Sequence, residues 1–143
     1  MKKWYLPLFL VLFTLVLQAC NNDDHEVSDK FEQLSFKESK LQCSGAKNTL
    51  ETSLNFGDWY IRYYTVVESG DTVVYENPIK NDGMVNYYDN TITGEWFTIK
   101  KEGKDGRKIN IQVTENMTGE KRELIIFCEG ALLFGAELKV TQE

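Results

Sequence analysis

Residues Trp59 to Tyr75 constrain this chain more than any other stretch. Trp59-Tyr60-Ile61-Arg62-Tyr63-Tyr64-Thr65-Val66-Val67 is dense in aromatic and β-branched side chains, which suit a pleated sheet. Ser69-Gly70-Asp71 supplies turn residues, and Thr72-Val73-Val74-Tyr75 resumes the same composition, so the stretch reads as a hairpin. If Trp59, Ile61 and Tyr63 face inward, strand alternation turns Tyr60, Arg62 and Tyr64 outward.

The rest of the chain from Phe31 follows the same logic, with no helical period. Gln33 to Phe36 and Lys40 to Cys43 alternate polar and apolar, as half-buried strands do. Thr49 to Phe56 alternates again, with Leu50, Leu54 and Phe56 on one face. Asn77 to Gly94 is the least regular part, rich in turn formers such as Asn77-Pro78, Asn81-Asp82-Gly83 and Asp89-Asn90. Strands return at Trp96–Ile99, Lys108–Thr114 and Glu123–Cys128, and a last one keeps Phe134, Ala136, Leu138 and Val140 on one face. About seven to nine short strands with regularly spaced turns predict an all-β, antiparallel β-sandwich without a second domain.

The N-terminus has a different character. Lys2 and Lys3 precede fourteen almost wholly apolar residues, Trp4 to Leu17. A helix needs about 20 apolar residues to span a bilayer core, so this run is too short for a stable span. A basic head, a short apolar body and a small residue before the cut form a secretory signal. Leu17-Gln18-Ala19-Cys20 resembles the lipobox of bacterial lipoproteins, with Gln18 where a small residue is more usual. The resemblance implies cleavage before Cys20 and acylation of its sulfur and new amine. Residues 1–19 are then the signal peptide and 20–30 a lipidated tether, polar and acidic with Val27 as its one aliphatic residue. Residues 31–143 form the folded domain. Asn21-Asn22-Asp23-Asp24 looks like the acidic signals that send some lipoproteins to the cell surface. The expected location is the outer membrane, with surface exposure left open.

Loss of Lys2 and Lys3 takes the formal charge from -6 to -8. That balance argues against nucleic acid, where binding rests on neutralising phosphates with Lys and Arg. It argues equally against electrostatic docking on anionic lipid. The membrane is therefore a partner through the acyl chains on Cys20 alone.

Several segments in the second half fall in a familiar order. They are Gly94-Glu95-Trp96-Phe97-Thr98-Ile99, a Gly-bearing turn, Ile109-Asn110-Ile111-Gln112-Val113, Glu115-Asn116-Met117-Thr118-Gly119, Arg122, Ile125-Ile126 and Val140-Thr141-Gln142. That order resembles the BACON domain, an immunoglobulin-like module of secreted and lipidated bacterial proteins from carbohydrate-rich habitats. The match is good over residues 94–143 and loose before them. Between Trp59 and Trp96 the chain carries extra hairpin and loop material, where any function of its own is expected.

An enzyme is not expected. His25, the only histidine, lies in the tether, and there is no nucleophile elbow or phosphate loop. No cofactor or metal is implied, since two cysteines without histidine make no zinc site and no EF-hand spacing is present. Cys43 and Cys128 would lie in an oxidising compartment, where a bridge can form. In the inferred sandwich the last strand runs between them, beyond the roughly 7 Å limit for bridged α-carbons, which favours two buried thiols.

Aromatic side chains carry the binding expectation. Sugar rings present apolar C–H faces, so tyrosine platforms beside amides and carboxylates can stack and hydrogen-bond them. Tyr60 and Tyr64 on the outer strand face, with Tyr87 and Tyr88 in a loop, are the candidate carbohydrate contacts. Trp59 and Trp96 are assigned to the core. Asp71-Thr72-Val73 resembles a three-residue bacterial O-glycosylation acceptor, which makes Thr72 a candidate modification site. The leading expectation is a lipid-anchored envelope module that binds a polysaccharide or mucin-type glycan. The alternative is a structural or accessory lipoprotein whose sandwich holds an envelope protein and no sugar.

Overall fold

The computed structural model describes residues 32–81, 83, 86–130 and 134–143, with backbone only at 86 and 87. The expected signal peptide, Cys20 and the expected tether lie outside the described residues. Among the described residues no helix is long and apolar enough to cross a membrane.

The described chain is an all-β sandwich. Its strands are β1 (Lys40–Cys43), β2 (Asn48–Ser53), β3 (Trp59–Glu68), β4 (Asp71–Glu76), β5 (Lys80–Asn81), β6 (Asn86–Tyr87), β7 (Thr91–Thr93), β8 (Phe97–Glu102), β9 (Lys108–Val113), β10 (Arg122–Gly130) and β11 (Gly135–Gln142). One sheet has five strands in the order β1-β11-β10-β3-β4, the other four in the order β2-β9-β8-β7. β5 and β6 form a small separate hairpin. All these pairings are antiparallel except β1 with β11.

Period-two patterning explains the core. On β10, Leu124, Ile126 and Cys128 point inward, and on β11 Leu138 and Val140 do the same. They meet Phe97, Ile99, Ile109, Ile111 and Val113 of the facing sheet in one continuous cluster. Trp59 and Trp96 belong to it, only 2% and 3% exposed, as expected from the sequence.

Two expected elements come out differently. Gln33–Phe36 makes a single bridge, Phe36 to Leu54, rather than a strand. Asn55 takes over there: its Nδ2 donates to the Gln33 carbonyl and its Oδ1 accepts from the Ser35 amide, at 2.8 and 2.9 Å. These side-chain bonds supplement two backbone bonds, Asn55 N–H to the Ser35 carbonyl at 3.1 Å and Lys37 N–H to the Ser53 carbonyl at 2.8 Å. Conversely, the irregular stretch before Gly94 contributes β7, which is drawn into the second sheet because Ile92 buries itself in the core. Tyr87 is in β6, paired with Lys80, rather than in a loop.

The largest departure is a β-bulge in β3. Phe127 pairs with Tyr63 but Cys128 pairs with Ile61, which leaves Arg62 as the extra residue. An extra residue reverses the alternation beyond it. Trp59 and Ile61 therefore face the core, and so do Tyr64 and Val66. Tyr63 is turned to the outer face, where it stacks on Phe127 at 4.7 Å. Asn77 secures the bulge: its amide donates to the Arg62 carbonyl at 3.0 Å and its Nδ2 donates to the Ile61 carbonyl at 2.9 Å.

The cysteines are both buried and free. Cys43 is on β1 and Cys128 on β10, with β11 between them. Burial pushes both thiols above their ordinary pKa.

Candidate functional site

The two sheets are unequal, and the surplus is the β3–β4 hairpin. Its turn, Ser69-Gly70, has positive φ at both residues, 51° and 83°. That is a two-residue turn of the I′ kind, whose twist matches the flanking strands. The hairpin continues past the cover of the second sheet, so every residue of β4 is exposed. Val74 and Tyr75 are 61% and 44% exposed, well above what apolar strand residues usually show.

The inner face of this hairpin and the turn between β7 and β8 enclose an open cleft of ≈ 690 Å³. That size is within the range of small-ligand sites, about 300–1,000 Å³. Its apolar walls are Tyr64, Val66, Val73, Tyr75, Trp96 and Phe97, and its polar groups include Glu68, Asp71 and Glu95.

Each wall residue is positioned for a legible reason. Tyr64 and Tyr75 are cross-strand partners, with rings 5.1 Å apart and nearly parallel at 13°. Phe97 meets Tyr64 edge-on at 5.5 Å and Trp96 edge-on at 5.2 Å. A Cβ on Gly94 would lie 2.4 Å from the Phe97 ring, so only glycine admits this packing. Burial, followed by the Tyr75 hydroxyl, raises the pKa of Tyr64 and keeps it neutral.

Beneath the cleft lies a buried polar clamp. The Arg122 guanidinium sits 4.4 Å over the Trp96 ring. Its Nε donates to Gln142 Oε1 at 2.9 Å, and its Nη2 to the Thr114 carbonyl at 2.9 Å. Gln142 Nε2 in turn donates to the carbonyls of Gly45, Ala46 and Thr114. Arg122 reaches the cleft rim through Glu68, 3.8 Å away. Asp71 and Glu95 form no ion pair among the described residues, so the rim carries uncompensated negative charge.

The four candidate tyrosines do not form one platform. Tyr60 and Tyr88 come together on the outer face, stacked at 3.9 Å and 2°. The Tyr60 hydroxyl donates to Glu129 at 2.8 Å, and Arg62 Nη1 donates to the Tyr88 hydroxyl at 3.3 Å. Burial, reinforced by Glu129, holds the Tyr60 hydroxyl protonated well above its usual pKa. Tyr64 is on the opposite side of the sheet, in the cleft, because of the bulge. The Tyr87 side chain lies outside the described residues. Thr72 is exposed at the start of β4, beside the hairpin turn.

Tyr75, Glu68 and Val73 were not singled out from the sequence as site residues. The signal that marks them is the register that follows from the Ser69-Gly70 turn: Glu68 opposite Asp71, Val66 opposite Val73 and Tyr64 opposite Tyr75. Counting outward from the turn places all six on one face, once the bulge is known to turn that face inward.

No protein-family model matches the chain, and no curated protein is significantly similar to it.

Proposed function

We propose that this protein is a non-enzymatic, lipid-anchored module of the cell envelope that binds a glycan in the cleft beside the β3–β4 hairpin. One observation carries the reading: the Tyr64–Tyr75 stack opens onto a cleft rimmed by Glu68, Asp71 and Glu95. Tyr75 is the stacking platform for an apolar sugar face, and the carboxylates accept hydrogen bonds from sugar hydroxyls. The unpaired negative charge selects neutral or amino sugars over sulfated and sialylated ones, because an anionic ligand would meet like charge in a partly desolvated site. The Cys20 lipobox and the acidic tether support tethering at the outer membrane. The order of strands from Gly94 onward supports the likeness to BACON domains.

The test is binding of the purified protein to immobilised polysaccharides and mucins. Retention on at least one neutral or amino-sugar polymer is expected, with at least a tenfold loss in Tyr75→Ala. Retention on no polymer of a broad panel, or unchanged affinity in Tyr75→Ala, would remove the reading. Tyr60→Ala and Tyr88→Ala serve as controls and should leave binding unchanged, since they lie on the other face.

A further inference from the structure

Among the described residues β4 is an edge strand with none of the usual protection. It is six residues long and ends the five-stranded sheet. Natural edges are blunted by lysines, prolines or bulges that discourage a further strand. Thr72-Val73-Val74-Tyr75 contains none of these, and Asp71 and Glu76 are its only charges.

The ladder also shows which groups remain open. A two-residue turn makes Glu68 and Asp71 the closing hydrogen-bonded pair, and such pairs alternate along an antiparallel ladder. The Asn77 amide bonded to the Arg62 carbonyl at 3.0 Å keeps the same parity at the far end. The N–H and C=O groups of Thr72, Val74 and Glu76 therefore point away from the sheet.

We infer that β4 receives an extended segment of a second protein by antiparallel strand addition, and that the segment carries Lys or Arg at both ends of a short β-branched run. The ends are set by charge. A residue opposite Asp71 faces the cleft side, where Glu95 adds a second unpaired carboxylate, and a residue opposite Glu76 faces the outer side. Cations satisfy both. Between them, residues opposite Val73 and Tyr75 meet apolar side chains. A second copy of this chain is a poor occupant. In the matched antiparallel register Val74 would face Val74 and Glu76 would face Thr72, so a second copy brings no cation to either carboxylate. The inference is independent of the glycan reading: strand addition uses the backbone edge, the sugar uses cleft side chains.

The experiment uses full-length protein in detergent micelles and a labelled, end-blocked peptide, Lys-Val-Thr-Val-Thr-Lys. Two control peptides accompany it, one with Glu for both Lys and one N-methylated at the alternate amides that would face β4. Fluorescence anisotropy should show the lysine peptide binding at least tenfold more tightly than either control. Hydrogen exchange should slow within residues 71–76 when it binds. Val74→Pro removes one outward N–H at an edge position where proline is tolerated, and should weaken binding at least tenfold. Val74→Lys, a surface change that leaves the fold intact, should do the same by repulsion. Both variants should keep glycan retention, which separates failure of this inference from failure of the sugar reading. Equal binding of the three peptides, no binding, unchanged exchange in 71–76, or a protein dimer that excludes the peptide would each overturn it.

Discussion

The molecule has a closed half and an open half, and both are made of the same kinds of residue. In the closed half, Leu124, Ile126, Leu138 and Val140 are wholly buried against Ile99, Ile109 and Ile111. In the open half, Val73, Val74 and Tyr75 are equally apolar yet largely exposed. The difference is not composition but partnership: five strands face four, and among the described residues β4 ends its sheet and is exposed along its whole length. Burial of a Leu or Ile side chain stabilises by about 1.5–3 kcal/mol. Residues of β4 forgo much of that gain. The uncovered apolar side chains of this hairpin are the ones on which the proposed binding surfaces rest.

The sharpest way to break this comparison is to measure both halves for stability. Ile126→Ala should cost about 2–5 kcal/mol in urea unfolding, the range for emptying a well-packed core position. Val74→Ser should change stability by no more than about 0.5 kcal/mol, as exposed positions do. Comparable losses would mean that the open half is covered in solution and that the contrast is false.

Next in size is the joint between the halves. Asn77 is buried, and its Nδ2 donates to the carbonyls of Ile61 and Asp89. Asn77→Ala leaves those acceptors unmatched and should cost about 1–3 kcal/mol. Amide exchange between residues 77 and 90 should quicken more than exchange in β10. Uniform quickening across the sandwich would show that Asn77 holds the whole fold and not the bulge.

The smallest expected effect belongs to the outer face of the closed half. Glu123 lies between Lys121 and Lys139, at 2.7 and 2.8 Å. Hydrogen bonds from these two lysines hold its carboxyl below the usual range. A depressed folded pKa gives stability that is present above the unfolded value, about 4.3, and is lost as pH falls through the folded value. The stability gap between the native protein and Glu123→Gln should therefore be open at neutral pH and close in acid below that value. A gap that does not change with pH would assign the effect to packing.

Much of the fold was legible because strand alternation and turn chemistry are local. Lys40–Cys43, Lys108–Val113 and the β3–β4 hairpin all stand where their patterns predict, and the Ser69-Gly70 turn fixes its own register. Gln33–Phe36 misled because Asn55, about twenty residues away, supplies hydrogen bonds that a pattern cannot reveal. The site was half legible. The extra hairpin and loop material points to the region Trp59–Trp96, and strand alternation selects Tyr64 but on the wrong face.

The amino-acid sequence by itself determined an all-β chain, two tryptophans in the core, two separated thiols and an acidic balance. These follow from side-chain size, periodicity and charge, which act within a few residues or on the whole chain. Only the tertiary structure decided the face of each tyrosine. Arg62 has no local mark of a bulge; it becomes one because Phe127 and Cys128 of β10 demand Tyr63 and Ile61 as partners. One inserted residue in a period of two exchanges inside for outside. It turns Tyr64 and Val66 toward the core side, and with them the register partners that make the cleft.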